Sequence, residues 1–252
     1  MFYMGPEKKF IGIIPARYAS TRFPGKPLVD IHGKSMIRRV YEQASMVLNA
    51  VYVATDDQRI YEAVEGFGGR VVMTSAAHKS GTDRCAEAVQ IVERDRGELF
   101  DVVLNVQGDE PFIEPQQLEL VKSCFTSQET QIATLVKVID SVDDIFDANR
   151  PKVVVNKKQE AVYFSRSPIP FICGKEKENW LASHVFYMHI GLYGYQKKVL
   201  LDITRLTQSP LELAESLEQL RWIENGYRIA VRTTSYESFG VDTPEDLARL
   251  LI

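Results

Sequence analysis

Residues Ile13 to Leu28, IIPARYASTRFPGKPL, decide how the rest of the chain is read. An apolar run over residues 10–15, ended by Pro15, passes directly into a loop carrying Arg17, Arg22 and Lys26, the hydroxyls of Ser20 and Thr21, and glycine and proline breaks. Such a run suits a strand buried on both faces of a sheet. Three cations within ten residues are suited to holding a polyanion, although a solvated basic loop explains the charges alone. Position weighs toward the anion, because ligands in open α/β sheets sit outside the carboxyl ends of the strands.

Working outward, Met36, Ile37, Val40, Tyr41, Ala44, Val47 and Leu48 recur at helical spacing, and a short apolar strand follows at Val51 to Ala54. This is a strand, a helix and a strand. The standard nucleotide fingerprints are absent. A Walker A loop would need glycine at Ser20 and a hydroxyl residue at Pro27, the later Gly33-Lys34-Ser35 would need glycine at Leu28, and Gly66, Gly68 and Gly69 lack the third Rossmann glycine because Val71 stands there.

The alternation continues with a strand at Arg70 to Met73, a helix at Thr82 to Glu93, a strand at Asp101 to Val106 and a helix at Pro115 to Cys124. It predicts an α/β fold, Rossmann-like in the broad sense, with a mostly parallel sheet flanked by helices. From about Gln131 the pattern becomes β-rich, with strands expected at Ile132 to Val138, Lys152 to Val155, Ala161 to Phe164 and Phe186 to Tyr195, and a polar stretch at Gly174 to Asn179. Residues 1–252 are read as a single domain, with about 131–200 as a smaller β-rich lobe within it. An amphipathic helix is expected over Pro210 to Asn225, with Leu211, Ala214, Leu217, Leu220 and Ile223 as its apolar face, Pro at its start and Gly226 just past its end. A strand near Arg228 to Thr233 and a helix from Glu245 to Leu251 close the chain.

A chain of 252 residues with 45% hydrophobic and 25% charged residues has ordinary globular composition. No run approaches the roughly 20 apolar residues that span a bilayer, and MFYMGPEKKF lacks the order of a secretory signal, so a soluble, cytoplasmic protein without membrane insertion is expected. Cys85, Cys124 and Cys173 are odd in number and widely spaced, which suggests neither a disulfide framework nor a zinc site. A net charge of −4 argues against a general nucleic-acid binder.

Chemistry could sit at three further loops. Gln107-Gly108-Asp109-Glu110-Pro111 follows the strand ending at Val106; Asp109 there is either a hard-cation ligand or part of an Asx-type turn. Asp242, in Gly240-Val241-Asp242-Thr243-Pro244, is its possible partner, and the same segment reads as a helix N-cap followed by Pro. Both descriptions can hold at once. In His78-Lys79-Ser80-Gly81-Thr82-Asp83-Arg84, Ser80 with Asp83 could be a capping box or part of a base- or phosphate-binding helix start.

Taken in order, the loop at Ile13 to Leu28, HKSGTDR, NVQGDEP, YFSRSPIP, HIGLYGY, PLELAESLEQLR and GVDTPEDL closely resemble segments of the 3-deoxy-manno-octulosonate (Kdo) cytidylyltransferases, a likeness that runs from Lys9 to the C-terminus. The resemblance implies a nucleotidyltransferase fold and a CTP-dependent transferase that moves a cytidylyl group to the anomeric hydroxyl of Kdo. The products would be CMP-Kdo, for lipopolysaccharide biosynthesis, and pyrophosphate. It also implies Mg²⁺ as cofactor and a homodimer whose interface and sugar pocket draw on the β-rich lobe. Residue by residue, it places Pro15, Ala16, Arg17, Arg22, Lys26, Ser80, Gly81 and Asp109 at CTP, with Asp109 and Asp242 on the metal. By the same resemblance Gln107, Arg166, His189, Tyr193 and Glu218 would line the sugar pocket, and Arg17, Lys26, Asp109 and Asp242 would form the catalytic set.

Two anions must meet in that reaction, since the sugar is a carboxylate, and the metal together with Arg166 or His189 is expected to screen their repulsion. No side chain stands out as a general base. The idiosyncratic segment Ile172 to Tyr187 leaves fine sugar specificity open, so an acidic sugar such as 8-amino-Kdo or a sialic acid is the alternative acceptor.

Overall fold

The computed structural model describes residues 8–19, 23–237 and 239–250. Arg22, expected at CTP, and Leu251, the last residue of the expected terminal helix, lie outside them. The chain divides into two compact units, one of residues 1–119, 194–204 and 238–252, the other of residues 120–193 and 205–237.

The first unit contains a parallel sheet. Its central strand, Phe10–Ala16, pairs in parallel with Val51–Thr55 on one side and Val102–Asn105 on the other. Val71–Met73 extends the first side, also in parallel. Ile11, Ile13 and Ile14 have no exposed surface, so the first strand is buried on both faces, as its unbroken apolar run demands. The chain steps outward from this strand through Val51–Thr55 to Val71–Met73 and then returns to its opposite side. That reversal is a topological switch point, and it opens a crevice between the loops after Ala16 and after Asn105.

The intervening helices, Met36–Ser45, Gln58–Gly66 and Gly81–Arg96, carry the sheet between strands and bury Val40, Ile60 and Val89 completely. Gly33-Lys34-Ser35 belongs to a small antiparallel hairpin, with His32 and Gly33 at φ 53° and 79°. Two positive φ values in a two-residue loop are the signature of a hairpin turn.

The second unit pairs Ile132–Val138 in parallel with Ile229–Thr234, and Lys152–Val155 in antiparallel with both Ala161–Ser165 and the start of Tyr187–Gln196. Its aromatic core gathers Ile139, Ile145, Trp180, Phe186 and Met188, with Trp180 stacked on Phe186 at an interplanar angle of 8°. The polar stretch Gly174 to Asn179 leads through a 3-10 turn at Lys177–Asn179 into the short helix Trp180–Ser183, which periodicity had not signalled. Trp180, buried in that core, and Leu181, packed against it, seat the helix.

The single helix expected over Pro210 to Asn225 is two, Pro210–Glu215 and Gln219–Glu224, separated by Ser216 in the left-handed conformation at φ 51° and ψ 47°. Leu211, Ala214, Leu217, Leu220 and Ile223 recur every three residues, and a spacing of three rotates steadily around a helix of 3.6 residues per turn and never builds one face. Ala214 is accordingly exposed, while Leu217, Leu220 and Trp222 are buried.

At the crevice a close approach of backbones fixes one residue type. A Cβ added to Gly108 would lie 2.8 Å from the carbonyl oxygen of Pro15. Gly108→Ala is therefore expected to destabilise the protein by about 1–3 kcal/mol, the usual range for overpacking, read as a fall in the thermal or urea midpoint. An unchanged midpoint would show that the two loops can separate without cost.

Candidate active site

Three loops from distant parts of the first unit meet at the crevice. Lys26 opens a short 3-10 turn, Lys26–Leu28, preceded by Gly25 at φ 72°. Its ammonium lies 2.8 Å from Asp109 Oδ2 and 3.3 Å from Asp242 Oδ1, and its side chain is only 13% exposed. One cation thus gathers two carboxylates from positions 83 and 216 residues away.

The backbone supports this meeting. The Val241 amide donates to the Asp109 carbonyl at 2.9 Å. Val241 itself is fully buried with Ile31 and Met36, so the residue before Asp242 is anchored in an apolar cluster. The helix Pro244–Leu250 is capped by its neighbour: the Asp246 amide donates to Thr243 Oγ1, while the amides of Asp242 and Thr243 donate to Asp246 Oδ2. Thr243 takes the capping duty, which leaves the Asp242 carboxylate turned to Lys26.

These residues line a cavity of about 230 Å³. Pro15, Ala16 and the exposed Arg17 form one wall, and Gln107, Gly108 and Asp109 continue from the neighbouring strand. Ser80 and Gly81 bring in the start of the helix Gly81–Arg96. Ser80 closes a complete capping box with Asp83, each side chain accepting the other's backbone N–H. Its hydroxyl oxygen is thereby committed to the helix even though the residue faces the cavity.

Among the described residues no group of three His, Cys, Asp or Glu side chains is arranged to hold a metal ion. The pair Asp109 and Asp242 nevertheless fits a hard cation: two carboxylate oxygens already converge on one positive group, and Mg²⁺ needs only one or two protein carboxylates beside phosphate and water oxygens.

Of the residues assigned to the sugar, Gln107 sits at this cavity, whereas Arg166, His189, Tyr193 and Glu218 belong to the second unit. There Arg166 donates from Nε to the Glu215 carbonyl at 2.8 Å and from Nη1 to the Ala148 carbonyl at 2.9 Å. Glu218 accepts from Arg221 Nη2 at 2.8 Å. His189 packs edge-on to Phe164 and against Tyr193, its Nε2 lying 3.2 Å from Thr134 Oγ1.

A profile of the cytidylyltransferase family matches residues 11–229. The 3-deoxy-manno-octulosonate cytidylyltransferase of Parabacteroides distasonis is 62% identical over 247 residues, covering 96% of this chain and 97% of its own. The protein of the same name from Bacteroides thetaiotaomicron is 60% identical, covering 95% of each chain. This chain belongs to the 3-deoxy-manno-octulosonate cytidylyltransferase family. A solved structure of CMP:2-keto-3-deoxy-manno-octonic acid synthetase complexed with CTP matches this family member with a TM-score of 0.87 at 42% identity, over 96% of this chain and 97% of its own. A cytidylyltransferase from Leptospira borgpetersenii, at 16% identity and a TM-score of 0.63, shares the fold.

The sequence singled out the segment His78 to Arg84 of this cytidylyltransferase but gave its two end side chains no role. Arg84, only 4% exposed, lines the cavity and donates to Thr74 Oγ1 at 2.6 Å and Asp56 Oδ2 at 3.0 Å. His78, on the same wall, contacts the Glu87 carboxylate, which also accepts the Ser75 amide at 2.8 Å. The signal was available at Asp56, a carboxylate just beyond the strand Val51–Thr55, the same placement that singled out Asp109.

One electrostatic expectation needs correction. Burial pushes the His189 imidazole from its ordinary 6.5 down to about 3, so the ring is neutral in ordinary buffers and cannot screen anions as a cation. The unfolded chain takes up a proton near 6.5 and the native ring only near 3, so His189 makes native stability fall as pH drops through that window. The ring's NMR resonances are expected to stay fixed from about pH 8 to about pH 4.5, and His189→Gln to lose less stability over the acidic half of that range than the parent. Titration of the ring near pH 6.5 would contradict this.

Proposed function

We propose that this chain transfers the cytidylyl group of CTP to the anomeric hydroxyl of 3-deoxy-D-manno-octulosonate, giving CMP-Kdo and pyrophosphate. Family membership supplies the reaction, and the convergence of Asp109 and Asp242 on Lys26 beside Arg17 is the observation that carries the chemistry.

The anomeric oxygen bonds to the α-phosphorus, the bond from that phosphorus to the bridging oxygen of the β-phosphate breaks, and the hydroxyl proton passes to solvent. Negative charge grows on the nonbridging α-oxygens and on the departing pyrophosphate. Fixed cations aimed at those positions stabilise the transition state more than the ground state. Arg17 and Lys26 stand beside the two carboxylates at the cavity, with Arg84 on its other wall. Asp109 and Asp242 would hold Mg²⁺, which when bound neutralises phosphate charge and lowers the pKa of a coordinated hydroxyl. Arg22 carries the remaining loop charge.

Gln107, Arg166, Tyr193 and Glu218 are read as sugar contacts, with His189 as a neutral hydrogen-bonding group. Residues 1–252 are read as one nucleotidyltransferase domain, its lobe at about 131–200 supplying sugar contacts and a homodimer face. A cytoplasmic location follows from the substrates.

Pyrophosphate release from CTP should appear with Kdo and Mg²⁺ and not with a sialic acid; the reverse preference would overturn the acceptor. Turnover with 8-amino-Kdo exceeding that with Kdo would reassign it to that analogue. Chelation should abolish turnover and added Mg²⁺ restore it. Asp109→Ala is expected to lower kcat by at least ~10²-fold, as for loss of a main electrostatic stabiliser, and undiminished turnover would remove Asp109 from the metal site.

A further inference from the structure

The phosphate loop is tied to the body of its unit at a point outside the cavity. Tyr18, which follows Arg17 directly, lies with its ring 3.3 Å from the guanidinium carbon of Arg59. Arg59 is the second residue of the helix Gln58–Gly66, and Asp57 holds its guanidinium flat by accepting from Nε at 2.9 Å and from Nη2 at 2.6 Å. The same carboxylate caps the helix by accepting the Arg59 amide at 3.0 Å. On the loop side, the Gly25 amide donates to the Tyr18 carbonyl at 3.0 Å, and a Cβ at Gly25 would press on the Tyr18 ring at 3.0 Å. Tyr18 therefore sits between a rigid helix start and the residue just before Lys26.

We propose that Arg59 is a positioning residue for the nucleotide, its guanidinium clamping Tyr18 so that the two ends of the loop, Arg17 and Lys26, are preset at the triphosphate. Arg59 is not among the residues that line the cavity. Its contribution is entropic: loop ends that are already fixed lose less freedom when CTP arrives. The clamp rests on the CTP reading given above.

Calorimetric CTP binding without sugar, together with the kcat and KM split in the full reaction, tests it. An exposed cation–π contact supports an expected weakening of CTP binding, and a matching rise in KM, of about twofold to fivefold in Arg59→Ala, with kcat at saturating CTP and the unfolding midpoint held. Arg59→Lys, which keeps the charge and loses the flat fork, should resemble the alanine variant. In a Tyr18→Leu background, Arg59→Ala should add nothing. Unchanged CTP affinity in Arg59→Ala, restoration by lysine, or full additivity of the two changes would each overturn the clamp. If the parent protein fails to bind CTP, the nucleotide reading falls and the clamp with it, whereas binding by the parent with no loss in Arg59→Ala removes the clamp alone.

Discussion

The contact of the Lys26 ammonium with Asp109 and Asp242 is the constraint around which the first unit is organised. Two carboxylates brought to one point repel unless a cation stands between them, and here the cation is the shielded partner, Lys26 at 13% exposure against 33% and 45% for Asp109 and Asp242. The surrounding backbone serves that meeting. Gly108 lets its loop lie against Pro15, and Val241 is sunk in apolar contacts while its amide reaches Asp109. The three groups carry a net charge of −1, which Arg17 brings to neutrality. A bare triphosphate gains little from such a site, whereas a triphosphate arriving with a divalent cation finds ligands for the metal and two protein cations for its oxygens. On the proposed reading this favours the nucleotide–metal complex over the free nucleotide.

The opposite side of the cavity is stiffened by different means. Arg84 is buried at the start of the helix Gly81–Arg96 and reaches both Thr74 and Asp56, residues beyond the ends of two neighbouring strands. A buried guanidinium is costly unless its donors are engaged, so the three chain segments it joins are bound to one another's positions. The helix start that faces the cavity is thus held by its capping box and by Arg84, without reliance on a bound ligand.

Much of this was legible in the sequence because it rests on local rules. Buried strands appear as unbroken apolar runs, as at Ile11 to Ile14, and the loops after them are where ligands collect, which singled out Arg17, Lys26 and Asp109. Pairing across long separations was not legible. Nothing in the residues near Lys26 indicates that its partners are Asp109 and Asp242, and nothing in Arg59 indicates a tyrosine, since stacking partners are chosen by the packing of a helix start against a distant loop. The helix expected through Pro210 to Asn225 failed for another reason. Good capping signals at both ends concealed a three-residue apolar spacing that no continuous helix can bury, and the chain breaks at Ser216.

That break decides how Arg166 is held. Ending the helix at Glu215 leaves the carbonyls of Glu215 and Ser216 without helical donors, and Arg166 takes both, at 2.8 Å and 3.5 Å. The Glu215 carboxylate meanwhile accepts the Ser165 hydroxyl at 2.6 Å and the Arg166 amide at 2.9 Å. Arg166 is oriented through neutral oxygens, while the nearest acidic side chain is engaged by the backbone and a hydroxyl. A guanidinium oriented by a carboxylate would have its charge largely cancelled; one oriented by carbonyls keeps it for an anion. With His189 neutral, Arg166 is the cation among the assigned sugar contacts suited to a carboxylate substrate, and a continuous helix through residue 216 could not have held it in this way.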